Sequence, residues 1–254
     1  MGGACDRDRP LSLPRFHVPG SAPGSRIALP EHAAHHAREV LRLRAGAPVR
    51  IFDGEGAEFE ATLDSVTRQG VQVRLGGPTT PRCPESPLRV VLALPPLKGD
   101  RMETVIQKAT ELGVTEIRPI ITARTDAAGR PALHGSRQER WEKVASGAAE
   151  QCGRAVVPVI HATATLGALL DVAFEGRRIL FLETPGQPPL RAAGPPPASA
   201  LALVGPAGGW EPAEAARIQA AGFQAAGLGP RVLRAETAAI AAVTMLQILW
   251  GDLG

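Results

Sequence analysis

The chain reads as an α/β protein, with a parallel sheet filling its C-terminal two-thirds and a small β-barrel ahead of it. Three observations support this. From about Leu88 onward, short apolar runs alternate with helical patterns, the rhythm of a parallel sheet covered by helices. Before Leu75, apolar residues alternate singly with polar ones, as in half-buried strands. Between the two regimes, "GGPTTPRCPESP" reads as a proline-rich linker, with residues 77–87 as its span.

Residues 1–13 are charged, lack an apolar run and read as a disordered tail. They do not resemble a secretory signal, so a cytoplasmic location is expected. Residues 14–76 form the barrel. Phe59, Ala61 and Leu63 alternate with polar neighbours, as do Val71, Val73 and Leu75. One helix interrupts, "EHAAHHAREVLRLRAG", with Ala33, Ala37, Val40 and Leu41 as its apolar face and Gly46 as its stop.

Residues 88–254 form the second domain. "LRVVLALP" is a buried-type strand, and "KGDRMETVIQKATELG" is a helix with Met102, Val105, Ile106, Ala109 and Leu112 on one face. A strand at Ile117–Thr122, a helix at Arg137–Gln151 opened by Ser136, and a strand at Val156–Ile160 follow. Then come a helix at Leu166–Ala173 and strands at Arg178–Glu183 and Ala200–Val204. The final helix, "AETAAIAAVTMLQILWGDL", is apolar almost all round and must be covered on more than one side.

Composition narrows the functions. The 254 residues are 44% hydrophobic, enough for real cores. Net charge is +3, which permits nucleic-acid binding without requiring it. Tyr is absent and aromatics make up 4%, which argues against a base-stacking single-strand platform. Three well-separated cysteines with no CxxC point to a reduced protein. The longest apolar run, Ala238–Trp250, is too short to span a bilayer. His32, His35 and Glu39 share a helix side but lack a partner motif, so no metal site is read there.

The chemistry concentrates late in the chain. In open parallel sheets, ligands sit at the carboxyl ends of strands. Here those ends are "FLET", "LVGPAGGW" and "LGPRVLRAET". Gly205, Gly208 and Gly209 allow close approach to bare backbone, and helix starts near Pro212 and Arg234 offer spare N–H donors. A dinucleotide fold places its glycine turn after the first strand, so the order here is reversed.

Several long motifs in order resemble those of the ribosomal small-subunit methyltransferase E family, the 16S rRNA uridine-N3 methyltransferases of the SPOUT class. They are "RFHVPG", "HHAREVLRLRAG", "LPPLKGDRMETVIQKATELGVTEIRP", "RWEKVASGAAEQCGR", "GPAGGW" and "LGPRVLRAETAAI", and together they cover nearly the whole chain from Arg15. The resemblance implies a C-terminal SPOUT-type parallel sheet with a trefoil knot, an N-terminal PUA-like RNA-binding barrel, and a homodimer. It also implies S-adenosylmethionine, held by the late loops, as the cofactor and 16S rRNA or the small ribosomal subunit as the partner.

Carried over residue by residue, the resemblance implies cofactor contacts from Leu182, Glu183, Thr184, Val204, Gly205, Pro206, Gly208 and Gly209. Leu228, Gly229, Val232, Leu233 and Thr237 complete that set. Arg234 is the candidate for holding the substrate or stabilising its negative charge, with pairing to Glu236 or another carboxylate as its structural alternative. Arg15, His35, Arg38, Arg42, Lys98, Arg101, Lys108 and Gln151 are the candidates for RNA contact. His35, Arg38 and Arg42 fall at i, i+3 and i+7 on one helix face, and Arg101 and Lys108 share another. Cys152 reads as a packed residue rather than a nucleophile.

The chain departs from the family at Ala207, where the family has Glu, and over "DAAGRPALHG". Two other readings stand beside the leading one, the second of them suggested by Ala207. One is a different RNA target such as a tRNA nucleotide, and the other is an RNA-binding assembly factor with impaired activity.

Overall fold

The computed structural model describes residues 13–125, 136–182, 186–191 and 194–254. The expected tail (apart from Leu13), the 126–135 segment, Glu183 and Thr184 lie outside the described residues. The chain divides into two units, one comprising residues up to Glu85 with Ser146–Val157, the other Ser86–Ala145 with Pro158–Gly254.

In the first unit, strands β1 (Arg15–His17), β2 (Arg26–Ala28), β3 (Pro48–Phe52), β4 (Glu58–Thr67) and β5 (Gly70–Thr79) form one sheet in the order β1-β3-β4-β5-β2. The β1–β3 pair is parallel and the others are antiparallel. The expected alternation holds: Phe59, Ala61, Leu63, Val71, Val73 and Leu75 all face one buried core. Ala33, Ala34 and Ala37 of helix α1 (Glu31–His35) and the turn after it pack on that core. Pairing of β5 continues to Thr79, opposite Glu58, so the first residues of the expected linker are strand.

The helix expected to run to Gly46 stops early. His36–Val40 widen into a π-helical turn closed by Leu41 N–H on the His36 carbonyl at 2.9 Å. Arg42 then takes φ +51°, a left-handed conformation that ends the helix. Val40 and Leu41, expected on the apolar face, are 61% and 39% exposed.

Arg15 is buried. Its guanidinium grips both oxygens of Glu58, at 3.3 and 2.9 Å, and lies 4.6 Å over the Phe52 ring. It also donates to the carbonyls of Ala149, Glu150 and Arg154 at 3.0, 3.1 and 3.0 Å. These carbonyls lie at and just beyond the end of helix α3 (Ser136–Cys152), where backbone acceptors run short of helical donors; Ala149 still accepts from Gly153 N–H at 3.2 Å. His17 joins the same junction. Its Nε2 faces the Asp53 carbonyl at 3.2 Å, so Nε2 carries the proton and Nδ1 accepts from Ser146 Oγ at 2.9 Å. Burial pushes the His17 pKa down, against the opposing effect of the Asp53 carbonyl. Burial likewise pushes Glu150 up, although its carboxylate accepts the His17 N–H at 2.8 Å.

The second unit is a parallel sheet. Its strands are β6 (Arg89–Leu94), β7 (Val114–Ile121), β8 (Val159–Ile160), β9 (Ala164–Thr165), β10 (Arg177–Leu182), β11 (Ser199–Val204) and β12 (Gln224–Gly227). The order is β12-β10-β11-β6-β7-β8, with β9 also on β7. Helices α4 (Leu166–Asp171) and α5 (Pro212–Ala220) bury Leu166, Leu169 and Ile218 against Val91, Ile120, Leu201 and Leu203. Helix α2 (Arg101–Glu111) buries Met102, Val105, Ile106 and Ala109, as its spacing requires, and packs against helix α6 (Ala235–Trp250). No helix among the described residues is long and apolar enough to cross a membrane.

The polar link between α2 and α6 centres on Gln247, which is fully buried. Gln247 Nε2 donates to the Leu112 carbonyl at 2.8 Å, and its Oε1 accepts from Ser86 Oγ at 2.7 Å. On the sheet itself, burial alone would raise the Glu116 carboxyl, but hydrogen bonds from Arg118, Arg89 and His161 hold its pKa at about 2.

Candidate active site

A pocket opens at the carboxyl ends of β10, β11 and β12, where a parallel sheet offers unpaired backbone. Phe181 and Leu182 close one side, and Val204 through Ala207 with Gly209 and Trp210 close the next. Leu228, Gly229, Arg231 and Leu233 form the third side, and Ala235 and Ala238 of α6 the fourth. The walls are mostly apolar, interrupted by bare glycine backbone.

Local sequence explains the shape. Pro206–Gly209 is a tight turn, closed by Gly209 N–H on the Pro206 carbonyl at 2.9 Å, with Gly209 at φ +73°. A Cβ on Gly205 would stand 2.7 Å from Trp210 Nε1, so only glycine lets the indole fold back beside the strand end. That indole N–H is buried and has no hydrogen-bond partner. At the sheet edge, Gly227 N–H bonds the Pro188 carbonyl at 3.0 Å, and a Cβ there would meet Gln187 at 3.0 Å.

Leu182, Val204, Gly205, Pro206, Gly209, Leu228, Gly229 and Leu233 thus gather on the pocket walls. Gly208 does not; its carbonyl turns outward and accepts from Arg124 Nη1 at 2.6 Å. Val232 is 70% exposed and Thr237 is also exposed, so neither forms a wall. The sequence reading missed Phe181, Ala207, Trp210, Arg231, Ala235 and Ala238 as wall residues. The i, i+3 pair of small residues opening α6 was the available signal for the last two.

Arg234 is the N-cap residue of α6, exposed, between the wall residues Leu233 and Ala235. It forms no ion pair with Glu236, one of whose carboxylate oxygens is buried without a hydrogen-bond partner.

The expected RNA contacts divide. Arg15 is removed from the set, because its side chain is 4% exposed and bonded within its own unit. His35, Arg42, Lys98, Arg101 and Gln151 are exposed. Arg38 bonds Glu39 at 2.6 Å and the Thr67 carbonyl at 3.1 Å, and Lys108 bonds Glu111 at 2.9 Å. Arg42 does not continue the face of His35 and Arg38, since the helix has ended before it.

Comparison with known proteins agrees with this geometry. The model of an RNA methyltransferase domain matches residues 84–247, and that of an RNA methyltransferase PUA domain matches residues 29–76. The ribosomal RNA small subunit methyltransferase E of Synechocystis is 32% identical over 88% of this chain and 73% of its own length. That of Bacillus subtilis is 32% identical over 86% of this chain and 90% of its own length. Among solved structures, a putative methyltransferase of Legionella pneumophila with bound S-adenosylmethionine superposes with a TM-score of 0.88 at 34% identity, covering 96% of this chain and all of that one. A ribosomal RNA small subunit methyltransferase E from Neisseria gonorrhoeae, also bound to S-adenosylmethionine, gives 0.83 at 32% identity, covering 95% of this chain. The chain belongs to the ribosomal RNA small subunit methyltransferase E family.

Proposed function

We propose that this chain transfers a methyl group from S-adenosylmethionine to N3 of a uridine in the 16S rRNA of the small ribosomal subunit. The observation that carries the reading is the pocket at the carboxyl ends of β10, β11 and β12, walled by late glycine turns. Its residues suit the cofactor. The apolar walls suit an adenosyl body, and the buried, partnerless Trp210 N–H supplies a donor for a hydrogen-bond acceptor. When bound, the cofactor supplies a methyl group already activated by its sulfonium.

The remaining tasks fall to the protein. The walls must fix the reacting atoms in line. Uridine N3 is a poor nucleophile until it loses its proton, so a positioned cation that favours the uridinate lowers the barrier. Arg234 stands between the wall residues Leu233 and Ala235, has no carboxylate partner among the described residues, and is assigned that role. N3 is concealed in a base pair, so the target uridine is unpaired or flipped. The first unit's PUA-type sheet and the exposed His35, Arg42, Lys98, Arg101 and Gln151 hold the RNA, chiefly through its phosphates.

Two further proposals accompany this reading. One is a trefoil knot in the C-terminal segment, supported by β12 lying at the sheet edge beside β10 while α6 packs on β6 and β11. The other is a homodimer through the open face of α6, where Thr237 and Ile248 are exposed and Ile240, Ala241 and Thr244 are half-buried.

The test uses small ribosomal subunits lacking the modification, incubated with the protein and labelled S-adenosylmethionine, followed by mass spectrometry of nuclease digests. N3-methyluridine in 16S rRNA is the expected product. Label confined to tRNA, or none, would refute the assignment.

A further inference from the structure

The carbonyl of Gly208 points away from the pocket, and Arg124 holds it from outside. Arg124 lies in the turn after β7, far from the late loops in sequence and absent from the pocket walls. Its Nη1 donates to the Gly208 carbonyl at 2.6 Å, and its Nε lies 4.0 Å from Glu211. The side chain is 46% exposed, so the ion pair with Glu211 adds little stability, while a charge-assisted bond to a carbonyl is short and directional.

The base of this latch is rigid. Thr122 and Thr125, 3% and 4% exposed, close the turn that carries Arg124. Thr122 N–H donates to Thr125 Oγ1 at 2.8 Å, Thr125 N–H to the Thr122 carbonyl at 3.1 Å, and the two hydroxyls meet at 3.0 Å. A second tie runs alongside. Ala123 N–H donates to Glu214 Oε1 at 2.7 Å, and Glu211 N–H donates to Glu214 Oε2 at 3.3 Å. One carboxylate thus joins the end of β7 to the start of α5, just past the glycine turn. Since Gly209 N–H already closes the turn on Pro206, the Arg124 bond fixes the orientation of the Gly208–Gly209 peptide.

We propose that Arg124 is a positioning residue for the cofactor: from outside the pocket it holds the Pro206–Gly209 turn in the shape that receives S-adenosylmethionine. The proposal rests on the cofactor reading given above. It assigns Arg124 no contact with cofactor or substrate.

The test is calorimetric titration of S-adenosylmethionine into the wild-type protein, Arg124→Ala and Arg124→Lys, with thermal melting of each ligand-free protein and amide hydrogen exchange over Gly205–Trp210. Losing a hydrogen bond to a charged donor predicts a dissociation constant about ten- to fiftyfold higher for Arg124→Ala. Lysine keeps the charge without the fork and recovers part of that loss. Exchange over the turn quickens in Arg124→Ala, and the melting temperature of the ligand-free protein hardly moves. A merely structural role gives a different pattern, in which melting temperature and binding stoichiometry fall while affinity per folded molecule stays unchanged; that pattern overturns the proposal. Wild-type affinity in Arg124→Ala also overturns it. If the wild-type protein binds no S-adenosylmethionine, the cofactor reading fails, and unchanged hydrogen exchange in Arg124→Ala then refutes the latch on its own.

Discussion

Gln247 of α6 donates from Nε2 to the carbonyl of Leu112, at the end of α2, at 2.8 Å. The following residue, Gly113, has φ +83°, and a Cβ there would stand 2.6 Å from the same Nε2. The turn and the amide fit each other where α6 meets the end of α2.

Gln247→Leu takes the donor from the half-buried Leu112 carbonyl and the acceptor from Ser86 Oγ. The expected loss is about 1–3 kcal/mol of unfolding free energy. Gly113→Ala forces a side chain into a left-handed turn and against the amide, at a cost of about 1–3 kcal/mol. Urea unfolding measures both. Wild-type midpoints in either variant would show that the link does not hold the helices together.

Glu116 makes stability depend on acid. Its folded pKa of about 2 lies below the ordinary 4.5, so its contribution is complete above pH 4.5 and is lost as pH falls toward 2. Discounted for its half-exposed partner Arg89, that contribution is on the order of 2 kcal/mol. His17 acts in the same direction nearer neutrality, because its lowered pKa means the unfolded chain takes up the proton first as pH drops through 6.5. Glu116→Gln should flatten the stability profile between pH 5 and 3 (stability followed by chemical denaturation at each pH). An unchanged slope would remove Glu116 as its source.

Arg15→Ala leaves Glu58 buried without its partner and takes a donor from the carbonyls of Ala149, Glu150 and Arg154. The expected cost is about 3–5 kcal/mol, and Arg15→Lys recovers little because an ammonium cannot reproduce the fork. Normal stability together with weakened RNA binding would return Arg15 to the RNA surface.

Gly205→Ala places a methyl 2.7 Å from Trp210 Nε1 and must displace the indole. S-adenosylmethionine affinity is expected to fall by at least about tenfold, as packed walls rarely absorb an added methyl without shifting. Calorimetry at constant folded fraction reads this out. Equal affinity would move the cofactor elsewhere.

Arg234→Ala should slow single-turnover methylation by about 10²–10³ with cofactor affinity near wild type, the usual effect of removing one donor to a developing anion. Arg234→Lys should recover part of the rate. A stable Arg234→Ala protein with full rate would exclude the role.

Much of this was legible in the sequence, because the relevant forces are periodic. The buried Phe59, Ala61, Leu63, Val71, Val73 and Leu75 follow from alternation alone, and the inner face of α2 follows from helical spacing. The late glycines marked the pocket because bare backbone has few other uses at strand ends. Relations between distant segments were not legible. Arg15 looked like a surface cation, and only the fold brings Glu58 and the end of α3 around it. Arg42 looked helical until a π-turn ended the helix before it. Arg124 carried no local signal, since its partner lies in a loop more than 80 residues away.

Every wall of the pocket lies after residue 180, while the N-terminal sheet is complete by Thr79 and β6 and β7 by Ile121. During vectorial synthesis, at roughly 5–20 residues per second, the N-terminal sheet and the β6 and β7 segments are therefore made before any part of the pocket. Because α6 supplies Ala235 and Ala238 to the pocket, a product that stops before α6 lacks one wall of the cofactor site however well the rest is folded.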